Sequence, residues 1–95
     1  MSVYIIADFI VKDQSAYSEL QKLVPPIMEK YGGRYLVRGG EIIRGGEEWG
    51  LSGINLIEFP SAAKAREYFS SDDYAPIAAI RYKAAETRSF MVEGV

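Results

Sequence analysis

The 95-residue chain contains no cysteine and no histidine. Without cysteine there is no disulfide, no thiolate nucleophile and no cysteine-held zinc or iron–sulfur centre. Without histidine there is no Ser-His-Asp triad, no imidazole base and no histidine ligand for haem or zinc. No apolar run approaches the roughly 20 residues that span a bilayer, so no membrane partner is expected. Basic residues are too few for a polyanion: 11 Lys and Arg face 13 Asp and Glu, for a net charge of −2. Nucleic acid is therefore not an expected partner, because its phosphates select a cationic face. The start, Met1 to Asp8, has no basic segment and meets an acid early. The expectation is no secretory leader and a cytoplasmic location.

Cofactor and metal motifs are also lacking. Gly32-Gly33, Gly39-Gly40 and Gly45-Gly46 never precede Lys-Ser or Lys-Thr, and none forms a dinucleotide fingerprint. Turns, caps and bulges account for them. Asp72-Asp73 and Glu47-Glu48 are adjacent pairs, whose carboxylates do not converge on one ion, and no calcium loop is present. Neither cofactor nor metal is expected.

What the chain does have is apolar material: 48% of its residues are hydrophobic and 13% aromatic. One domain is expected over 1–95. Val3–Val11 is β-branched and aromatic, and apolar on both alternating faces, which predicts a central strand covered on both sides. Asp13 is placed to cap a helix. Tyr17, Leu20, Leu23, Val24, Ile27, Met28 and Tyr31 then recur at helical spacing. Pro25-Pro26 should kink that helix or split it into two abutting segments. Gly32-Gly33 should stop it.

Arg34–Arg38 reads as the second strand, with a possible extension over 41–44 beyond a glycine bend. A glycine-rich loop over 45–53 carries the lone Trp49. Ile54–Phe59 is the third strand. Ser61 should cap the second helix, with Ala65, Tyr68 and Phe69 inward. Ser71 should cap a shorter helix reaching about Tyr82, and 88–93 closes as the fourth strand.

The order β-α-β-β-α-β predicts an α+β, ferredoxin-like fold with an antiparallel sheet. Right-handed crossovers place strands one and three at the centre and the helices on one sheet face. The other face is then bare and oily, and such a patch marks an interface. A standard interface buries about 800 Å² per partner, and about 25 cal/mol per Å² of apolar area favours association. The expected partner is a second copy of the chain.

Five residues stand out as site candidates. Asp8 is an acid in the middle of a central strand. It is either a proton-transfer base with a raised pKa or a carboxylate satisfied by an arginine or tyrosine, and the paired reading is preferred. Arg38 and Glu58 interrupt apolar strands. They are either a ligand anchor, with Arg38 gripping a carboxylate, or structural ion pairs. Tyr35 and Tyr74 lie near element ends, where pockets form. Trp49 is read as a plug at the dimer edge rather than a lid.

The segments Lys30-Tyr31-Gly32-Gly33-Arg34-Tyr35-Leu36-Val37-Arg38-Gly39-Gly40, Leu56-Ile57-Glu58-Phe59-Pro60-Ser61, Tyr68-Phe69-Ser70-Ser71-Asp72-Asp73-Tyr74 and Phe90-Met91-Val92-Glu93-Gly94-Val95 occur in this order. Together they resemble the DUF1330 family. The resemblance implies a dimeric α/β-barrel, two ferredoxin-like sheets packed face to face, and a family of unknown function. Asp72 stands where that family often has proline. Histidine, used by several enzymes of the wider superfamily, is absent.

Two functional readings follow. In the first, a homodimer binds or transforms a small organic molecule without a cofactor. Asp8 would be the base and Arg38 the stabiliser of a developing anion, which requires both to line one cavity. In the second, the dimer is a non-catalytic accessory module with its charges fully paired.

Overall fold

The computed structural model describes residues 1–43, 45–46 and 48–95. The elements run β1 (Val3–Val11), α1 (Gln14–Lys30), β2 (Arg34–Arg38), β3 (Ile54–Phe59), α2 (Ala62–Ser70), α3 (Tyr74–Ala84) and β4 (Ala85–Glu93). The four strands form one antiparallel sheet in the order β2-β3-β1-β4. Strands one and three are central, as their apolar sequences require. The fold is α+β and ferredoxin-like.

Side-chain alternation divides β1 between two environments. Val3, Ile5 and Ala7 are buried under the helices. They join Leu20, Val24 and Met28 of α1, Phe59 of β3, Tyr68 of α2 and Ile77 of α3 in one core. Tyr4, Ile6, Asp8 and Ile10 point to the opposite face, which no helix covers. There Ile6 pairs with Leu56 on one side and Phe90 on the other. Phe90 is 61% exposed and Val92 45%.

Local signals explain the element ends. Asp13 accepts the Ala16 N–H at 3.1 Å and starts α1. Ser61 accepts the Lys64 N–H at 3.1 Å and starts α2. Gly32, at φ +85°, takes the left-handed turn that ends α1 without a side-chain penalty.

Four details depart from the sequence expectations. α1 is one continuous helix with Pro25 and Pro26 inside it, not two abutting segments. The Ser71 hydroxyl accepts the Tyr74 N–H at 3.2 Å, so the helix begins three residues after its expected cap. β4 begins at Ala85 rather than at 88, because α3 passes into it with no loop. Residues 41–43 are not strand; Arg44, the end of that expected extension, lies outside the described residues. No helix among the described residues is long and apolar enough to cross a membrane.

Candidate functional site

A cavity of about 80 Å³ lies between the sheet and the helices. One water needs roughly 10–15 Å³, so several waters or a small organic molecule fit. β1 supplies Ile5, Ala7 and Phe9 to its floor, and β3 supplies Asn55 and Ile57. Leu20, Val24 and Met28 of α1 form part of the roof, and Ile77 of α3 closes one side. These walls are apolar because they belong to the same core that holds the helices on the sheet.

Polar groups enter this cavity at a few points. Tyr35 and Arg38 come from β2, Tyr17 and Gln21 from α1, and Tyr74 and Arg81 from α3. Arg38 lies over the Tyr35 ring, 4.8 Å from its centroid. It also donates to the main-chain carbonyl of Gln21. Arg81 donates to the Tyr74 hydroxyl at 2.5 Å. Phe9 stacks on Tyr17 with centroids 5.2 Å apart. Asn55 has a buried side-chain oxygen with no hydrogen-bond partner. Such an atom is costly to leave unmatched, so it is a place where a ligand or water is favoured.

Burial pushes the Tyr35 hydroxyl above its ordinary pKa, and the nearby Arg38 guanidinium only partly opposes this. Tyr17 is raised for the same reason, with the Asn55 hydrogen bond opposing. Tyr68, beneath them, is raised further by burial and by Tyr74. These phenols are neutral at pH 7 and can donate hydrogen bonds.

The structure separates the five residues singled out in the sequence. Arg38, Tyr35 and Tyr74 line the cavity, and Asp8 and Glu58 do not. The expectation that Asp8 shares a cavity with Arg38 is therefore corrected. Ile5 and Ala7 face the helices, so strand alternation turns Asp8 to the bare face. There its carboxylate pairs with Arg88 at 2.7 Å and accepts the Ser52 and Gly53 N–H groups at 2.8 and 3.3 Å. The Arg88 hydrogen bond, then the Ser52 N–H, hold its pKa below the ordinary value, the reverse of what a base near neutrality needs.

Glu58, also on the bare face, pairs with Arg34 at 2.7 Å. Arg34 first, and the Tyr4 hydroxyl second, lower its pKa. The expectation of Glu58 as a ligand anchor in that cavity is corrected with it.

Trp49 is 76% exposed on the loop after β2 and stands away from the cavity. Asp73, one of an acidic pair considered for metal, instead takes Lys30 Nζ and the Tyr31 hydroxyl, each at 2.8 Å. Glu47, of the other pair, lies outside the described residues. Among the described residues no group of three acids could hold a metal ion.

Sequence reasoning missed Arg81, Tyr17 and Asn55 as cavity residues. Arg81 lies seven residues after Tyr74 on one helix, a spacing that returns to the same face. Asn55 alternates with the inward Ile57 and Phe59, which marks a polar group turned inward.

Comparison with known proteins places the chain. Residues 2–95 match the model of the family described as "Domain of unknown function (DUF1330)", and the chain belongs to that family. No curated protein matches it. Among solved structures it resembles the RPA0582 protein of unknown function from Rhodopseudomonas palustris. That match has TM-score 0.77 and 15% identity, over 99% of this chain and 82% of the other. It resembles SnoaB, a cofactor-independent oxygenase from Streptomyces nogalater, with TM-score 0.63 and 13% identity over 99% and 93% of the two chains. A dimeric ferredoxin-like protein of unknown function from Bacteroides fragilis gives TM-score 0.66 and 17% identity over 98% and 96%. At these identities the likeness is one of fold.

Proposed function

We propose that this DUF1330 chain works as a homodimer with its bare sheet faces packed together, each subunit binding a small organic molecule in the cavity between its sheet and its helices. The observation that carries the binding reading is the set of polar groups turned into an otherwise apolar cavity. Arg38, Arg81, Tyr35 and the unmatched Asn55 oxygen converge there. A core built only for stability gains nothing from an orphaned amide oxygen, because its desolvation is uncompensated. Few polar groups set into an apolar concavity are the usual make-up of a ligand site.

The dimer reading rests on the row Leu56, Ile6 and Phe90, in register across three strands of the uncovered face. The dimeric neighbour from Bacteroides fragilis supports it. The cofactor-free reading rests on the absence of histidine, cysteine and any phosphate-cradling motif. SnoaB, a cofactor-independent oxygenase of similar fold, is consistent with it. Asp8 has no part as a base, since it is paired on the opposite face. That leaves the proposal at binding, with no proton transfer assigned.

A thermal-shift screen of small organic metabolites tests it. A ligand of the folded state raises the melting temperature as its concentration exceeds Kd. The expected result is at least one such compound, with the shift abolished by filling the cavity through Ala7→Leu. A screen in which nothing stabilises the wild-type protein overturns the binding reading.

A further inference from the structure

We infer that the ligand of this cavity is a small carboxylate with an apolar body, its anionic end facing Arg38 and Arg81. The inference rests on the binding reading above and names the class of molecule.

Charge accounting carries the argument. The other two strand arginines, Arg34 and Arg88, each hold a carboxylate at 2.7 Å. Arg38 and Arg81 have no acid within salt-bridge distance among the described residues. Both line the same cavity, and no Asp or Glu is among its lining residues. Two guanidinium groups thus border a mostly apolar space with no carboxylate among its lining residues, Arg38 from its solvent-exposed rim and Arg81 from a half-buried position. An anion entering the cavity exchanges the water on these guanidiniums for charge-assisted hydrogen bonds, which are stronger than neutral ones.

Donor capacity points the same way. A guanidinium has five N–H donors. Arg38 gives one to the Gln21 carbonyl, and Arg81 gives one to Tyr74. Most of the fork remains for a planar carboxylate, which it matches in geometry. Tyr35, Arg38, Arg81, Tyr17 and Tyr74 all line this one cavity, with Arg38 over the Tyr35 ring and Arg81 on the Tyr74 hydroxyl. Neutral phenols beside the guanidiniums are donors to an anion. The apolar remainder of the wall selects against a bare inorganic anion. The volume of about 80 Å³ holds roughly five to eight waters, which limits the ligand to about ten heavy atoms.

Matched carboxylate and amide pairs test this on the wild-type protein: isobutyrate against isobutyramide, and benzoate against benzamide. Each pair keeps its shape and differs in charge. Titration calorimetry at pH 7 and low salt should show the carboxylate binding at least tenfold tighter, since a hydrogen bond to a charged group is worth roughly ten- to hundredfold. Arg38→Gln and Arg81→Gln should each cut that preference, and Arg38→Lys should retain part of it. An amide that binds as tightly as its acid overturns the inference and leaves the binding reading intact. Inorganic phosphate binding as tightly as either acid also overturns it. If neither member of either pair binds at millimolar concentration, the inference falls; the metabolite screen decides the binding reading separately.

Discussion

Arg38 on β2 donates a hydrogen bond to the main-chain carbonyl of Gln21, four residues before Pro25 on α1. In an unbroken helix that carbonyl would accept the N–H of residue 25. Proline has none. The guanidinium occupies the acceptor that the proline leaves open, and it reaches there from the edge strand of the sheet. α1 runs on through both prolines, and the exposed Gln21 carbonyl keeps a donor where Pro25 supplies none. The same contact holds Arg38 over the Tyr35 ring at the border of the cavity.

Acid should weaken the fold through the carboxylates of the bare face. The Arg88 hydrogen bond lowers Asp8 below its ordinary 3.8. Arg34 lowers Glu58 below 4.5. A group with a depressed folded-state pKa binds protons more weakly folded than unfolded. Its contribution is complete above the unfolded value and is lost as pH falls through the folded one. The urea midpoint should be flat from neutral pH to about pH 5 and then fall with acidification. Arg88→Gln should flatten part of that slope. An unchanged slope in this variant would show that the pair does not contribute.

Much of the fold was legible in the sequence, for reasons that particular residues make plain. β1 is apolar on both faces, so its central place follows from composition alone. Asp13 and Ser61 are capping residues set directly before helical periodicity, and both caps formed. The start of β4 was not legible. Ala85, Glu86 and Thr87 follow a helix without a turn residue. What ends that helix is tertiary: the Ala84 carbonyl accepts the Lys12 and Asp13 N–H groups at 2.8 and 3.1 Å. The side on which Asp8 lies was not legible either, because a strand apolar on both faces gives no parity signal. The contact of Arg38 with the Gln21 carbonyl joins residues 17 apart in the chain, which local pattern cannot reveal.

Gly33 is a packing requirement. A Cβ there would sit 2.6 Å from Met28 Cγ and 2.7 Å from the Phe59 ring. Met28 and Phe59 are at the centre of the core, 1% and 0% exposed. Gly33→Ala should therefore destabilise the protein by about 1–3 kcal/mol, as overpacking does. Gly45→Ala meets nothing within 4 Å and needs no positive φ. It should change stability by less than about 0.5 kcal/mol. Equilibrium denaturation of both variants checks the contrast, and equal effects would contradict it.

The uncovered sheet face should hold the dimer together. Phe90 stands beside Ile6, which stands beside Leu56 on the next strand. A two-fold dimer buries two copies of Phe90, each worth about 1.5–3 kcal/mol. Phe90→Asp should weaken association by more than about a hundredfold. Light scattering coupled to gel filtration should report a dimer mass for the wild type and a smaller mass for the variant, at unchanged helical content. A wild-type protein that is a folded monomer at micromolar concentration would refute the assembly.

Pro25→Ala separates the role of the proline in the helix from its role at the site. Alanine restores the N–H that bonds the Gln21 carbonyl and removes a residue that disfavours helix interiors. The fold should be as stable as before or more so. Arg38 then competes for its acceptor with a main-chain donor and loses the contact that fixes it beside the cavity. A carboxylate such as isobutyrate should bind about three- to tenfold more weakly, the value of one net hydrogen bond's worth of preorganisation. Pro26→Ala frees no such contact, because the acceptor it would restore is Lys22, to which no side chain among the described residues donates. That variant should keep wild-type affinity. Thermal melts and isobutyrate titrations of the two variants provide the check. Equal affinities for Pro25→Ala and wild type would mean that the Gln21 carbonyl does not position Arg38.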